Sequence, residues 1–152
     1  MMKYFRPNQS GHILINLLVV LGVIAIIATI SIPYIKKYQP NLKLNASARE
    51  LTADLRYAQQ LTVTEQVAHS VKINLEDNSY QILKLSLATT TIKTVELASE
   101  VSFQQVTGLT NNQVVFNYYG GVSESGQIVL ININNSTATI NVKPSGYIQL
   151  EQ

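Results

Sequence analysis

Between Ile13 and Ile35 the chain carries no charged residue. At roughly 1.5 Å per residue, a helix over that stretch is about 35 Å long. A bilayer core needs about 20 apolar residues, so the segment is long enough to cross one. In front of it stands a short basic, polar head, Met1-Met2-Lys3-Tyr4-Phe5-Arg6-Pro7-Asn8-Gln9-Ser10-Gly11. The head is too short to be a domain and too polar to bury. It reads as a leader that ends at Gly11, with the apolar helix retained afterwards. An ordinary secretory signal would instead be cut behind its apolar region, after small residues, and Thr29-Ile30-Ser31 makes a poor site of that kind. An uncut membrane anchor is the other alternative.

The remaining composition bounds the partners. The formal charge of +2 over 152 residues is accounted for by Lys3 and Arg6. Beyond Pro40, seven basic residues (Lys43, Arg49, Arg56, Lys72, Lys84, Lys93, Lys143) face nine acidic ones. Non-specific nucleic-acid binding needs a basic field, and this region has none. The chain has no cysteine, which excludes disulfides, zinc-thiolate sites and thiol catalysis. Stability therefore rests on a packed core, feasible for the roughly 110 residues beyond Pro40.

Four pieces follow along the chain: a leader at 1–11, an apolar helix at 12–35, a second helical stretch at 36–68, and strands and turns at 69–152. Pro33 and Pro40 are expected to bend the helix without ending it. From Leu42 onward Leu44, Ala48, Leu51, Leu55 and Ala58 recur at spacings of three and four, continued by Leu61 or Thr62. Arg49, Glu50, Asp54, Arg56, Gln59 and Gln60 lie between them. This predicts a helix with one covered stripe, packed on a sheet. After His69 the period becomes two. Val71, Ile73 and Leu75 share a face, Glu76-Asp77-Asn78-Ser79 is turn chemistry, and Tyr80, Ile82, Leu83 and Leu85 complete a hairpin. Further strands are expected at 92–97, 114–119, 127–133, 137–142 and 147–150. The breaks are Gly120-Gly121, Asn134-Asn135 and Pro144-Ser145-Gly146, with a loop at 108–113.

No catalytic constellation is legible. The two histidines are His12, first after the expected cut, and His69, read as a surface or capping residue. Glu76-Asp77-Asn78 reads as a hairpin turn rather than a cation site, and the sparse Asp content argues against a calcium cage. No Ser/His/Asp set and no phosphate-binding glycine loop is present. The chain is therefore expected to be neither an enzyme nor a holder of a metal or cofactor.

These residues resemble the type IV pilin-like family, whose members carry a short basic leader ending in glycine and then an apolar helix usually opening Phe-Thr-Leu-Ile-Glu-Leu. Here Gly11-His12-Ile13-Leu14-Ile15-Asn16-Leu17 matches at Gly11, Leu14, Ile15 and Leu17, and Pro33 matches the family's helix-bending proline. Residues 48–58, and the ending Val115-Phe116-Asn117, Gly120-Gly121 and Val142-Lys143-Pro144-Ser145-Gly146-Tyr147-Ile148, are similar to the minor pseudopilin H of type II secretion and to FimT-like minor pilins.

The resemblance implies an α+β fold: a long bent N-terminal helix, transmembrane in its first half and amphipathic in its second, packed on an antiparallel β-sheet domain. It also implies cleavage between Gly11 and His12 by a prepilin peptidase, with His12 the candidate for N-methylation. The implied role is that of a filament subunit in a secretion or pilus machine, partnered by other pilin subunits, an inner-membrane assembly platform and lipid. The implied location is the bacterial inner membrane, crossed once, with the C-terminal domain outside the cytoplasm.

Two family positions differ, His12 for phenylalanine and Asn16 for glutamate. In the family that glutamate is thought to neutralise the N-terminal amine of a neighbouring subunit. A carboxylate facing an ammonium offsets the cost of both charges in hydrocarbon; an asparagine cannot. Members lacking it tend to sit at the filament tip, so Asn16 and Pro33 are the assembly positions of interest. FimT-like pilins that bind DNA carry arginines beside the C-terminal glycine, whereas Gly146 is followed by Tyr147, Ile148 and Gln149, which makes DNA an unlikely partner. A non-polymerising membrane-anchored binding module and a DNA-uptake minor pilin are the alternative readings.

Overall fold

The structure is a computed structural model that describes the backbone of residues 10–151 and the side chains of residues 13–32 and 35–151. The leader expected at 1–11 lies almost wholly outside the described residues. By its contacts the chain divides into two units, Met1–Tyr38 and Gln39–Gln152. Helix α1, Ser10–Glu65, continues from the first into the second.

The described part of the first unit is helix. Ile13–Ile32 is long and apolar enough to cross a membrane, and its large apolar side chains, from Ile13 through Ile32, are all exposed. Thr29 returns its hydroxyl to the Ala25 carbonyl at 2.7 Å, so that polar group is satisfied within the helix.

In the second unit the stripe predicted from the spacing is the covered face. Leu44, Ala48, Leu51, Leu55 and Ala58 are buried. Thr62, not Leu61, continues the stripe. Its hydroxyl donates to the Ala58 carbonyl at 2.9 Å, as Thr52 does to Ala48 at 2.7 Å, so neither buried hydroxyl is left unpaired. The helix stops at Glu65, three residues before the boundary read from the sequence, because Gln66 turns to a left-handed backbone (φ 55°).

Eight strands follow: β1 Ala68–Asn74, β2 Ser79–Leu85, β3 Thr89–Glu96, β4 Val101–Thr107, β5 Gln113–Phe116, β6 Gly126–Asn132, β7 Thr137–Val142 and β8 Ile148–Glu151. They form two antiparallel four-stranded sheets, ordered β3-β2-β1-β5 and β4-β6-β7-β8. Val71, Ile73, Tyr80, Ile82, Val114 and Phe116 from the first sheet and Phe103, Ile128, Leu130 and Ile140 from the second join the helix stripe in one core. Each fully covered aliphatic or aromatic side chain contributes about 1.5–3 kcal/mol.

Two local readings are corrected. Leu75 does not join Val71 and Ile73, being 39% exposed; β1 ends at Asn74, whose side-chain oxygen accepts the Glu76 N–H and opens the turn. The strand expected at 114–119 stops at Phe116, since Asn117 organises a turn by accepting the N–H groups of Tyr119 and Gly121.

Candidate functional site

The positions implied for processing and assembly lie on α1. Gly11, His12, Asn16 and Pro33 all have helical backbone, while the side chains of His12 and Pro33 lie outside the described residues. Asn16 is exposed among Ile13, Leu14, Ile15, Leu17 and Leu18, which are exposed too. A carboxamide there can give and take hydrogen bonds but carries no charge.

Besides Asn132 donating to Asn41 at 2.6 Å and Lys43 pairing with Glu100 at 3.0 Å, three stations along α1 carry polar contacts to the rest of the second unit. At the first, Asp54 is buried. Its carboxylate accepts the Tyr80 hydroxyl at 2.7 Å and the Lys93 ammonium at 2.7 and 2.9 Å. The helix is thereby tied to β2 and β3 with the buried charge neutralised and hydrogen-bonded. Burial, and then the Asp54 carboxylate, push the Tyr80 phenol well above its ordinary range. The spacing groups Asp54 with the polar residues between the stripe positions; the structure buries it.

At the second station Glu65 accepts the Lys84 ammonium at 2.6 Å, and its other neighbour is the His69 ring at 3.6 Å. The hydrogen bond from Lys84 holds the Glu65 carboxyl below its usual value. His69 is a correction. It is wholly buried rather than on the surface, because β1 begins at Ala68 and pairs His69 with Lys84 on one side and Phe116 on the other. Its Nδ1 lies 2.7 Å from the Val67 carbonyl.

The third station is a corner where two loops meet the helix. Gln59 Nε2 donates to the Gly120 carbonyl at 2.6 Å and to the Gly146 carbonyl at 3.0 Å. Arg56, one turn earlier, donates to the Ile148 carbonyl at 3.3 Å. Gly146 has φ +78°, and a Cβ there would lie 2.0 Å from the Gly120 oxygen and 2.4 Å from Gln59 Nε2. Only glycine fits. Tyr119 and Tyr147, the residues flanking these glycines, project from the corner.

Elsewhere Glu124 accepts the backbone N–H and the hydroxyl of Thr110, each at 2.7 Å, which lowers its pKa. Among the described residues no cluster of three or more His, Asp or Glu could hold a metal ion. Lys84 and Lys93, two of the seven basic residues beyond Pro40, each face a carboxylate.

A family model described as the type II transport protein GspH matches residues 47–146. The chain belongs to the GspH family. The matched segment runs from the amphipathic half of the helix to the Gly146 turn, so it takes in the first two stations and the Gln59, Gly120 and Gly146 contacts of the third. The GspH-family fold is also found in solved structures. The minor pseudopilin EpsH of the Vibrio cholerae type 2 secretion system superposes with a TM-score of 0.63 at 12% identity, covering 72% of this chain and 96% of that one. The type IV minor pilin FimU of Pseudomonas aeruginosa gives 0.62 at 17% identity, covering 76% and 92%. The solution structure of GspH from E. coli gives 0.59 at 14% identity, covering 73% and 89%. Comparison with curated proteins gives no match. The fold is thus that of the minor pseudopilins and minor pilins, an α+β fold with a long N-terminal helix on antiparallel sheets. The family is a structural one.

Proposed function

We propose that this GspH-family protein is a membrane-anchored minor subunit of a pilus-like filament of the type II secretion kind. The observation that carries the reading is the GspH match over residues 47–146 downstream of an apolar span long enough to cross a membrane, Ile13–Ile32. That helix presents apolar side chains on all sides, and such a surface can exchange lipid for neighbouring helices at little hydrophobic cost. Prepilin peptidase cuts between Gly11 and His12 on the cytoplasmic side, the new His12 amine is the methylation site, and the assembly platform of the inner membrane extracts the subunit. The C-terminal domain then lies outside the cytoplasm. Pro33 lets the helix bend as it packs. Asn16 stands where a carboxylate would pair with the amine of a neighbour, so the subunit caps or initiates the filament rather than repeating along it.

Immunogold labelling of sheared filaments tests this. Label is expected at filament ends, and Asn16→Glu is expected to spread it along the shaft. Label along the whole shaft of the wild type contradicts the capping role. Protein confined to membranes and absent from filaments would mean an anchored module that does not polymerise.

A further inference from the structure

The corner built on Gln59 carries three exposed tyrosines. Tyr118 and Tyr147 are 53% and 56% exposed, and Tyr119 is 95% exposed. They are neighbours by construction. Tyr119 precedes Gly120, Tyr147 follows Gly146, and one Gln59 amide nitrogen holds the carbonyls of both glycines. The loops are further fixed by turns from Asn117 to Gly120 N–H and from Lys143 to Gly146 N–H, each at 2.8 Å, and by Val122 N–H to the Pro144 carbonyl at 3.0 Å. Tyrosines on loops held this firmly offer a large contact area at small entropic cost, the economy that antibody binding loops use.

Two cations stand beside them. Lys143 Nζ stands 5.5 Å from the centroid of the Tyr147 ring. Arg56 reaches the adjacent Ile148 carbonyl. Among the described residues neither cation has a carboxylate within ion-pair distance, in contrast to Lys43, Lys84 and Lys93. A carbonyl satisfies hydrogen-bond geometry without neutralising the guanidinium, so both charges stay available to an incoming anion.

We infer that the corner formed by Tyr118, Tyr119, Tyr147, Lys143 and Arg56 is a docking surface for an acidic segment of a partner polypeptide. The tyrosine faces supply contact area, and the two cations pair with the segment's carboxylates. An extended polyanion such as duplex DNA fits less well. Seven basic residues against nine acidic ones beyond Pro40 give this domain no basic field, and duplex affinity depends on many phosphate contacts. Two local cations and an aromatic floor suit a short acidic segment.

The full chain in detergent micelles is titrated by fluorescence anisotropy with a labelled Glu/Asp-rich peptide, its Lys-substituted counterpart, and a duplex DNA, at about 150 mM salt. The acidic peptide should bind at least about tenfold tighter than the basic one. Tyr119→Ala and Lys143→Glu, both at exposed positions, should each weaken it by about tenfold or more with the melting curve unchanged, and Lys143→Arg should restore binding. Equal binding of both peptides, tighter binding of the duplex, indifference to both substitutions, or no binding of the acidic peptide overturns the assignment. Dispersed chains are used, so the result is independent of filament entry. Failure here leaves the filament reading standing, and failure there leaves this surface standing.

Discussion

Gln59 on the helix and Gly146 in the turn before the last strand are joined by a 3.0 Å hydrogen bond, although 87 residues separate them in sequence. The bond needs a residue without a Cβ at 146, since a methyl group there would lie 2.0 Å from the Gly120 oxygen. Gly146→Ala should therefore lower stability by about 2–4 kcal/mol, combining the left-handed backbone penalty with loss of the corner contacts. A denaturant melt of the full chain in detergent checks it. A shift under about 0.5 kcal/mol would mean that the two loops are not locked on the helix.

Leu51 is fully buried and belongs to the core that residues of both sheets share. Its truncation, Leu51→Ala, should cost about 2–5 kcal/mol. Tyr57, 45% exposed on the same helix, should tolerate alanine within about 1 kcal/mol. Paired denaturant melts measure the difference. Equal losses at the two positions would reverse the assignment of the covered face.

Tyr80 gives the domain an alkaline limb. Its phenol is buried and donates to Asp54, so it stays protonated in the folded state where an unfolded tyrosine, near pH 10, has ionised. Above that pH the unfolded chain binds fewer protons, and stability falls as pH rises. The slope from this one group reaches about 1.4 kcal/mol per pH unit. Tyr80→Phe should lower stability at neutral pH by about 1 kcal/mol and flatten the limb. Melts at pH 8 through 11 should show the two curves converging; parallel curves would sink the argument.

What the sequence disclosed follows from periodicity. The helix stripe lies where the spacing places it, and in the first hairpin Val71, Ile73, Tyr80 and Ile82 are buried as the alternation implies, although Ser70 and Leu83 on the other face are buried too and Leu75 is not. Strand β4 has no clean alternation in its sequence for a physical reason. Its ladder shifts between Phe103 and Gln105, so the covered positions run Val101, Phe103 and then Val106, and alternation is broken in the middle. Asp54 looked like one more solvated acid because its partner Lys93 lies 39 residues downstream. Gln59 carried no signal of its own, since its acceptors are backbone carbonyls 61 and 87 residues away. Pairing across such distances is set by topology, which local patterns do not encode. The buried His69 was hidden for a related reason: strand pairing on both sides covers it, while its flanking residues read as a boundary.

The central claim, that this chain is a processed filament subunit of the GspH family, is tested most directly at its mature N-terminus. Mass spectrometry of protein recovered from the membrane fraction should find a chain beginning at His12, and Gly11→Glu should leave the precursor uncut. A chain that begins at Ile32, after an ordinary signal cut, or that retains Met1, would contradict the account.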